Sequence, residues 1–503
     1  MRMGVLTGTL VLAVALTGCS SSGGSKESGD LGILDRDDKG TLKIGYFDEQ
    51  AFYSQYGNAF QAMFPNMTLE VISTEAAANA EDPVAAMEKL IDEQQPDALL
   101  LTEEQYAALA KKGKLYDLDA VVKQDNFDLD SYLPSVIELL KARGGGKLYG
   151  LSPSFSSQAL YYNKDLFDKY GVPYPTNGMS WEDVMQLAKR FPVKKGTAGA
   201  SLEKVRSDDA LYGLTLPVQT TDSFELIRTI GEAKGLLYAD RDSKLVTFDT
   251  AEWKAVVQSV VDGYKSGSIS APATGNGGGG GGMGGKLMIK GMGGNSTLSF
   301  GPDSMRFMSG QSAMSIDDTT LMNMMGVGTN MSVSTNAKGG DDKGGGEAGP
   351  GPMGMIDNWD VVSIPSDPAM KDVTGSMKLP NVFAINASGD NLSAAWEFLK
   401  YANGDQLAKT SAKSSPTLSS RVAYKTDLGG RNIDAFYTDK VNEQSLLQAE
   451  TLPAGFANSF AEMAAGQINK AVDGTQTVDE AVKAIQSQGQ NLLTKALASE
   501  EQA

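Results

Sequence analysis

From Thr41 onward the chain alternates short apolar runs with helical stripes, and this alternation restricts the fold more than any other feature. Thr41–Phe47 reads as a strand that stops at Asp48-Glu49-Gln50, a helical pattern covers 52–64, and Thr68–Ser73 reads as a second strand. A helix with Val84, Met87 and Ile91 on one face leads to the apolar run Ala98–Leu101, and another helix is expected over 103–111. Strands separated by helices in this way predict an α/β domain with a mainly parallel sheet. The pattern resumes further on. Ser180 followed by Asp183 signals a capped helix with Trp181, Val184, Met185, Ala188 and Phe191 on one face, and Leu211–Pro217 reads as a strand. A helix over 251–264 aligns Trp253, Val256, Val257, Val260 and Tyr264, and one near 393–402 aligns Ala395, Phe398, Leu399 and Ala402. Thr477 with Glu480 caps a last helix through about Leu497. These stripes are read as core packing.

With 503 residues the chain is long enough for two or more domains. It contains no histidine, which removes His-dependent triads, imidazole zinc ligands and the usual general base near neutral pH. The formal net charge of −18 argues against nucleic acid or anionic lipid as a partner. An enzyme of this composition would have to rely on carboxylates, Lys, Tyr or Ser, as glycosidases with paired acids do.

The single cysteine, Cys19, follows Arg2 and an apolar run from Val5 to Leu16 that is too short to span a bilayer and has the layout of a secretory signal. Leu16-Thr17-Gly18-Cys19 resembles the bacterial lipobox, which implies that residues 1–18 are removed and that Cys19 is lipidated. Residues 19–40, small, polar and charged beyond the cysteine, then form a flexible tether between membrane and domain. Several acyl chains on one residue hold a protein stably at a membrane surface. Segments 275–294 and 326–354 are glycine-rich and read as surface insertions. Twelve of the 22 methionines fall between Met283 and Met355, among them Met322, Met324 and Met325. They are read as packing residues in an adaptable sequence, with Cu(I) ligation the alternative.

Four stretches carry a family resemblance. Within 147–191, a small-residue turn is followed by Tyr162-Asn163-Lys164-Asp165-Leu166-Phe167 and then Gly171-Val172-Pro173. The others are the return strand Ser309–Asp317, the stretch 359–400 with its strand at Val382–Asn386 and its helix around Trp396, and Ser414-Ser415-Pro416. In this order they resemble the extracellular solute-binding proteins of ABC importers, in particular the family that includes the maltose-binding protein. The resemblance implies an α/β fold of two lobes, each discontinuous in sequence, with a cleft between them. Lobe I is assigned to 41–151 with 310–392, and lobe II to 152–309 with 393–503. It also implies no catalysis and no cofactor, a monomer, a small solute (most simply a carbohydrate), ABC permease subunits as partners, and a lipid-anchored position on the extracytoplasmic face.

Ligands of open α/β sheets sit beyond the carboxyl ends of the strands. That rule selects Asp48, Glu49, Phe52 and Tyr53 after the first strand, and Phe155 and Ser156 after the crossover strand. Thr220, Asp222 and Phe224 follow the strand ending at Pro217, Asp317, Asp318 and Thr320 end the return strand, and Pro416 belongs to the returning loop. Carboxylates and hydroxyls suit sugar hydroxyls, and aromatic rings suit their C–H faces. The competing reading is that the acids cap the helices that follow them. Tyr161, Tyr162 and Asn163 are expected to be structural. A carboxylate-dependent glycan hydrolase and a lipoprotein presenting ligand to a membrane sensor are the alternative functions.

Overall fold

The structure is a computed structural model. It describes residues 31–32, 34–195, 209–216, 222–271, 285–291, 294–300, 302–325, 356–412, 417–426, 429–453 and 455–501. In chain order the strands of the first half are β1 (Gly40–Tyr46), β2 (Met67–Ser73), β3 (Ala98–Leu101), β4 (Gly150–Leu151), β5 (Ser154–Phe155), β6 (Gln158–Asn163), β7 (Tyr212–Thr215), β8 (Ala239–Asp240) and β9 (Leu245–Val246). They continue as β10 (Gly285–Gly291), β11 (Gly294–Phe300), β12 (Ser312–Asp318), β13 (Trp359–Ser363), β14 (Val373–Thr374), β15 (Val382–Ile385), β16 (Leu418–Ser419) and β17 (Lys440–Val441).

Two sheets organise the chain. The first has the order β2-β1-β3-β15-β4, with β1 parallel to β2 and β3 and with β15 antiparallel to both β3 and β4. The second has the order β13-β6-β12-β7, with β12 antiparallel to β6 and parallel to β7. Each is covered by helices whose inward stripes were legible in the sequence. Leu42, Ile44, Leu99, Phe383 and Phe398 are fully buried around the first sheet, and Leu160, Leu214, Val257, Phe460 and Ile485 around the second. The predicted capping boxes form at Ser180/Asp183 and Thr477/Glu480, and a third forms at Thr102/Gln105. In each, the hydroxyl and the acidic or amide side chain satisfy backbone donors that the first helical turn leaves free.

The strand pairings correct the expected lobe boundaries. β12 and β13, both within the 310–392 assigned to lobe I, flank β6 in the lobe II sheet. The helix Leu392–Ala402, assigned to lobe II, sets Phe398 against Phe52, Phe60 and Phe383 in lobe I. Lobe I is therefore built from 40–151 with the region from β15 to the helix Asp405–Ser411. Among the described residues, lobe II is built from 158–195, 209–216, 222–271, 302–325 and 356–363 with the terminal helices Phe456–Val472 and Val478–Glu500. Residues 285–291 and 294–300, partly inside the first glycine-rich segment, pair as a hairpin in register from Gly285↔Phe300 to Gly291↔Gly294, which a purely irregular insertion would not do. The second segment, 326–354, lies outside the described residues.

β7 crosses the helix Trp181–Ala188 at a separation only glycine allows: a Cβ on Gly213 would lie 2.1 Å from the Ala188 carbonyl oxygen. The backbone on both sides is fixed by secondary structure and cannot give way. Gly213→Ala should lower stability by about 1–3 kcal/mol, read as a fall in the urea midpoint at unchanged slope.

Candidate binding cleft

Register fixes which ends of the two sheets look toward each other. β1, β2 and β3 are parallel and end at Tyr46, Ser73 and Leu101, and β15 starts opposite Leu101 at Val382. In lobe II, β12 ends at Asp318 opposite Gln158, the first residue of β6, and β13 ends at Ser363 opposite Ala159. The chain passes from β4 to β6 through 152–157, from β13 to β15 through 364–381, and from the lobe I helices back to lobe II through 417–441. The first two crossings join those same edges and the third pairs with them through Leu418↔Phe155 and Lys440↔Val373, so the carboxyl ends of the parallel strands in both lobes border one cleft.

On the lobe I rim, Phe47, Asp48 and Glu49 are exposed directly after β1, and Phe47 presents 47% of its surface. Its carbonyl accepts a bond from Ser73 Oγ at 3.1 Å, which ties the turn after β1 to the end of β2. Asp48 caps the helix Glu49–Phe52, its Oδ1 accepting from the Ala51 N–H at 2.7 Å. On the lobe II rim, Asp318 is half-buried, and its Oδ1 accepts from the Thr320 N–H at 2.7 Å. Asp222 accepts from the N–H groups of Phe224 and Glu225, and burial holds its carboxyl above the ordinary range. The helix-capping reading of these acids therefore holds for Asp48, Asp222 and Asp318, the last at the start of the helix Thr319–Met324.

Several sequence candidates lie elsewhere. Phe52 is fully buried beneath Tyr46 and Phe398, Phe155 is fully buried edge-on to Tyr437, and Phe224 is 1% exposed between Phe248 and Phe460. All three are core residues that offer a solute no surface here. The helical turn after Asp48 rotates Phe52 inward. Tyr53 is half-buried with its hydroxyl donating to the Leu69 carbonyl at 3.1 Å, and Ser156 sits in a crossing, its backbone bonded both ways to Lys378 at 2.9 Å. Asp317 is 2% exposed and accepts from Ser304 Oγ at 2.8 Å, so it supports the rim without lining it. Thr220, Pro416 and Cys19 lie outside the described residues.

Sequence reasoning missed Phe47, which was counted as the last residue of the strand. Its side chain continues the alternation of β1 on the exposed side, the signal that could have marked it. The structural reading of Tyr161 and Asn163 fits their places: Tyr161 is buried with its hydroxyl on the Asp318 carbonyl, and Asn163 caps the helix Lys164–Tyr170. Met322 and Met324 are buried in the hydrophobic core with Met305 and Met308, as packing residues should be. Among the described residues no group of three or more acidic side chains is placed to hold a metal ion, and no helix is long and apolar enough to cross a membrane.

Burial, reinforced by the negative charge of Asp318, raises the Asp317 carboxyl from its ordinary 3.8 to about 8, against the opposing bonds from Ser304 and the Asp318 N–H. The folded protein thus keeps a proton that the unfolded chain loses, and stability falls as pH rises between those two values. Asp317→Asn should flatten that decline and gain roughly 1–3 kcal/mol at pH 8, measured as unfolding free energies at pH 5 and pH 8.

Comparison with known proteins places this architecture. The model of the bacterial extracellular solute-binding proteins matches residues 55–429. Among solved structures, a sugar transporter from Rhizobium etli in an open conformation is 20% identical, with 90% of this chain and 99% of that one aligned at a TM-score of 0.59. The sugar-binding protein MalE of Xanthomonas citri is 16% identical over 92% of this chain and 100% of its own, also at 0.59. The cyclic alpha-maltosyl-1,6-maltose binding protein of Arthrobacter globiformis is 14% identical over 91% and 100%, at 0.54. At these identities the likeness speaks for the two-lobed fold, and with the family match over most of its length the chain belongs to the bacterial extracellular solute-binding proteins.

Proposed function

We propose that this chain is a lipid-anchored capture protein that binds a sugar or oligosaccharide between its lobes and delivers it to the permease of an ABC importer. The observation that carries the reading is the rim itself: an exposed aromatic ring, Phe47, beside the carboxylates Asp48 and Glu49 after β1, with the half-buried Asp318 ending β12. A pyranose offers apolar C–H faces and a girdle of hydroxyl donors, and such a rim answers both. Sugar-binding relatives of the same fold support the carbohydrate class.

Capture works by differential contact. A solute touching both rims binds the closed arrangement more tightly than the open one and shifts the population toward it, while a solute held by one lobe alone shifts nothing. The closed form then presents a surface to the permease that the open form lacks. Release follows when the permease favours the open arrangement again. Attachment through Cys19 keeps the protein near the permease.

The test is thermal unfolding of residues 20–503 against mono- and oligosaccharides, with the sugar assayed for consumption. A specific sugar at about 100 times its dissociation constant should stabilise the fold by roughly 2.7 kcal/mol and be recovered intact. Turnover of the sugar would move the function to a hydrolase, and a flat response to every sugar would remove the carbohydrate class. Phe47→Ala should weaken binding of the stabilising sugar about tenfold or more with little change in melting temperature, because an exposed ring contributes little to the fold. Phe52→Ala should instead cost about 3–5 kcal/mol of stability, since it empties a core site.

The anchor is tested separately. Cys19→Ser should shift the protein from the membrane fraction to the soluble fraction while leaving sugar binding intact. Retention on membranes would count against lipidation at that residue.

A further inference from the structure

Asp439 is 1% exposed and stands immediately before β17, where the third crossing re-enters lobe II. The three crossings are stitched by short pairings. β5 pairs with β16 through Phe155↔Leu418, β14 pairs with β17 through Val373↔Lys440, and Ser156 bridges Lys378. At their centre the Asp439 Oδ2 accepts from Ser157 Oγ of the first crossing at 2.5 Å and from Ser376 Oγ of the second. Its backbone carbonyl accepts from Ser135 Oγ at 2.6 Å, in the first turn of the lobe I helix Pro134–Arg143. One carboxylate-bearing residue thus touches every segment that links the lobes, and a lobe I helix as well.

The environment makes those contacts count. Oδ1 has no hydrogen-bond partner, and among the described residues Asp439 makes no ion pair, so its hydroxyl donors are its chief compensation for burial. Burial raises the carboxyl to about 6, with the Asp372 carboxylate adding to the rise and the hydroxyls of Ser157, Ser376 and Thr374 opposing it. Asp372 itself faces Lys440 at 4.0 Å. At neutral pH the group is mainly ionised, and bonds from hydroxyls to an ionised carboxylate are stronger than neutral ones.

We propose that Asp439 is the clasp of the inter-lobe hinge: by bonding the first and second crossings to the third, it holds the three segments in one register and limits how far the lobes open. Twisting any crossing against the others stretches a hydrogen bond to a buried carboxylate. The inference uses the capture reading only for the idea of closure, and its test needs no solute.

The experiment is pulsed electron-electron distance measurement on the full chain with Cys19→Ser, spin-labelled at Lys89→Cys in lobe I and Glu252→Cys in lobe II, both exposed. Hydrogen exchange on the same protein supplies the local readout. Asp439→Ala removes the oxygen that accepts from both Ser157 and Ser376. The distance distribution should broaden toward longer separations, and amide exchange should quicken about tenfold in 154–157, 373–378 and 439–441 while the strand amides of 42–46 and 159–162 stay protected. An unchanged distribution would overturn the proposal, as would faster exchange spread evenly through both sheets, which marks an ordinary core residue. If Asp439→Ala does not fold, Ser157→Ala combined with Ser376→Ala removes the same bonds from the donor side. The same hinge-confined change is then expected, and its absence overturns the clasp. Failure of sugar binding leaves these distances untouched, so the two ideas fall separately.

Discussion

The whole arrangement depends on returning strands that insert into the sheets instead of adding at their ends. β15 lies between β3 and β4 and bonds to both, and β12 lies between β6 and β7. Each arrives from far along the chain, so neither lobe can be a continuous stretch of sequence. Once β4 and β15 occupy the same edge of lobe I, the segments leading out of one and into the other must run side by side. The hinge is the geometric result of that pairing, and the cleft is the space the hinge spans. The hydrophobic effect supplies the driving force within each lobe, while the insertion of these strands decides which lobe each side chain joins.

Much of this was legible in the sequence because the relevant physics is local. The strand Ala98–Leu101, the helix Glu103–Lys111 and the capping boxes at Ser180 and Thr477 follow from periodicity and from donors at helix ends, which neighbouring residues satisfy. What failed was non-local. Trp359–Ser363 reads as a strand in isolation, but nothing within it says that its partner is β6. Phe398 reads as one face of a helix, and only the tertiary structure puts it on Phe52 and Phe383. The lobe boundaries were misplaced for that reason.

The candidate site shows the same division at finer scale. The rule about carboxyl ends of strands selects one edge of each sheet, yet within a few residues of it side chains alternate between rim and core. Phe47 and Phe52 belong to one turn of chain and have opposite fates, the first exposed and the second fully buried. Composition treats them as equivalent; the pleat of β1 and the first turn of the following helix separate them. Asp317 and Asp318 divide in the same way, one supporting from below and the other at the surface.

The insertion of β15 also governs when the protein can fold. Until Val382–Ile385 has been synthesised, β3 and β4 have no strand between them, and lobe I remains an unsealed sheet. Lobe II waits longer, because Ile485 and Leu493 of its last helix are part of its core. Contacts of such long sequence separation are slow to form. Both lobes of such a chain are therefore completed late, lobe I by a strand more than 200 residues beyond the sheet it enters and lobe II by the last helix of all.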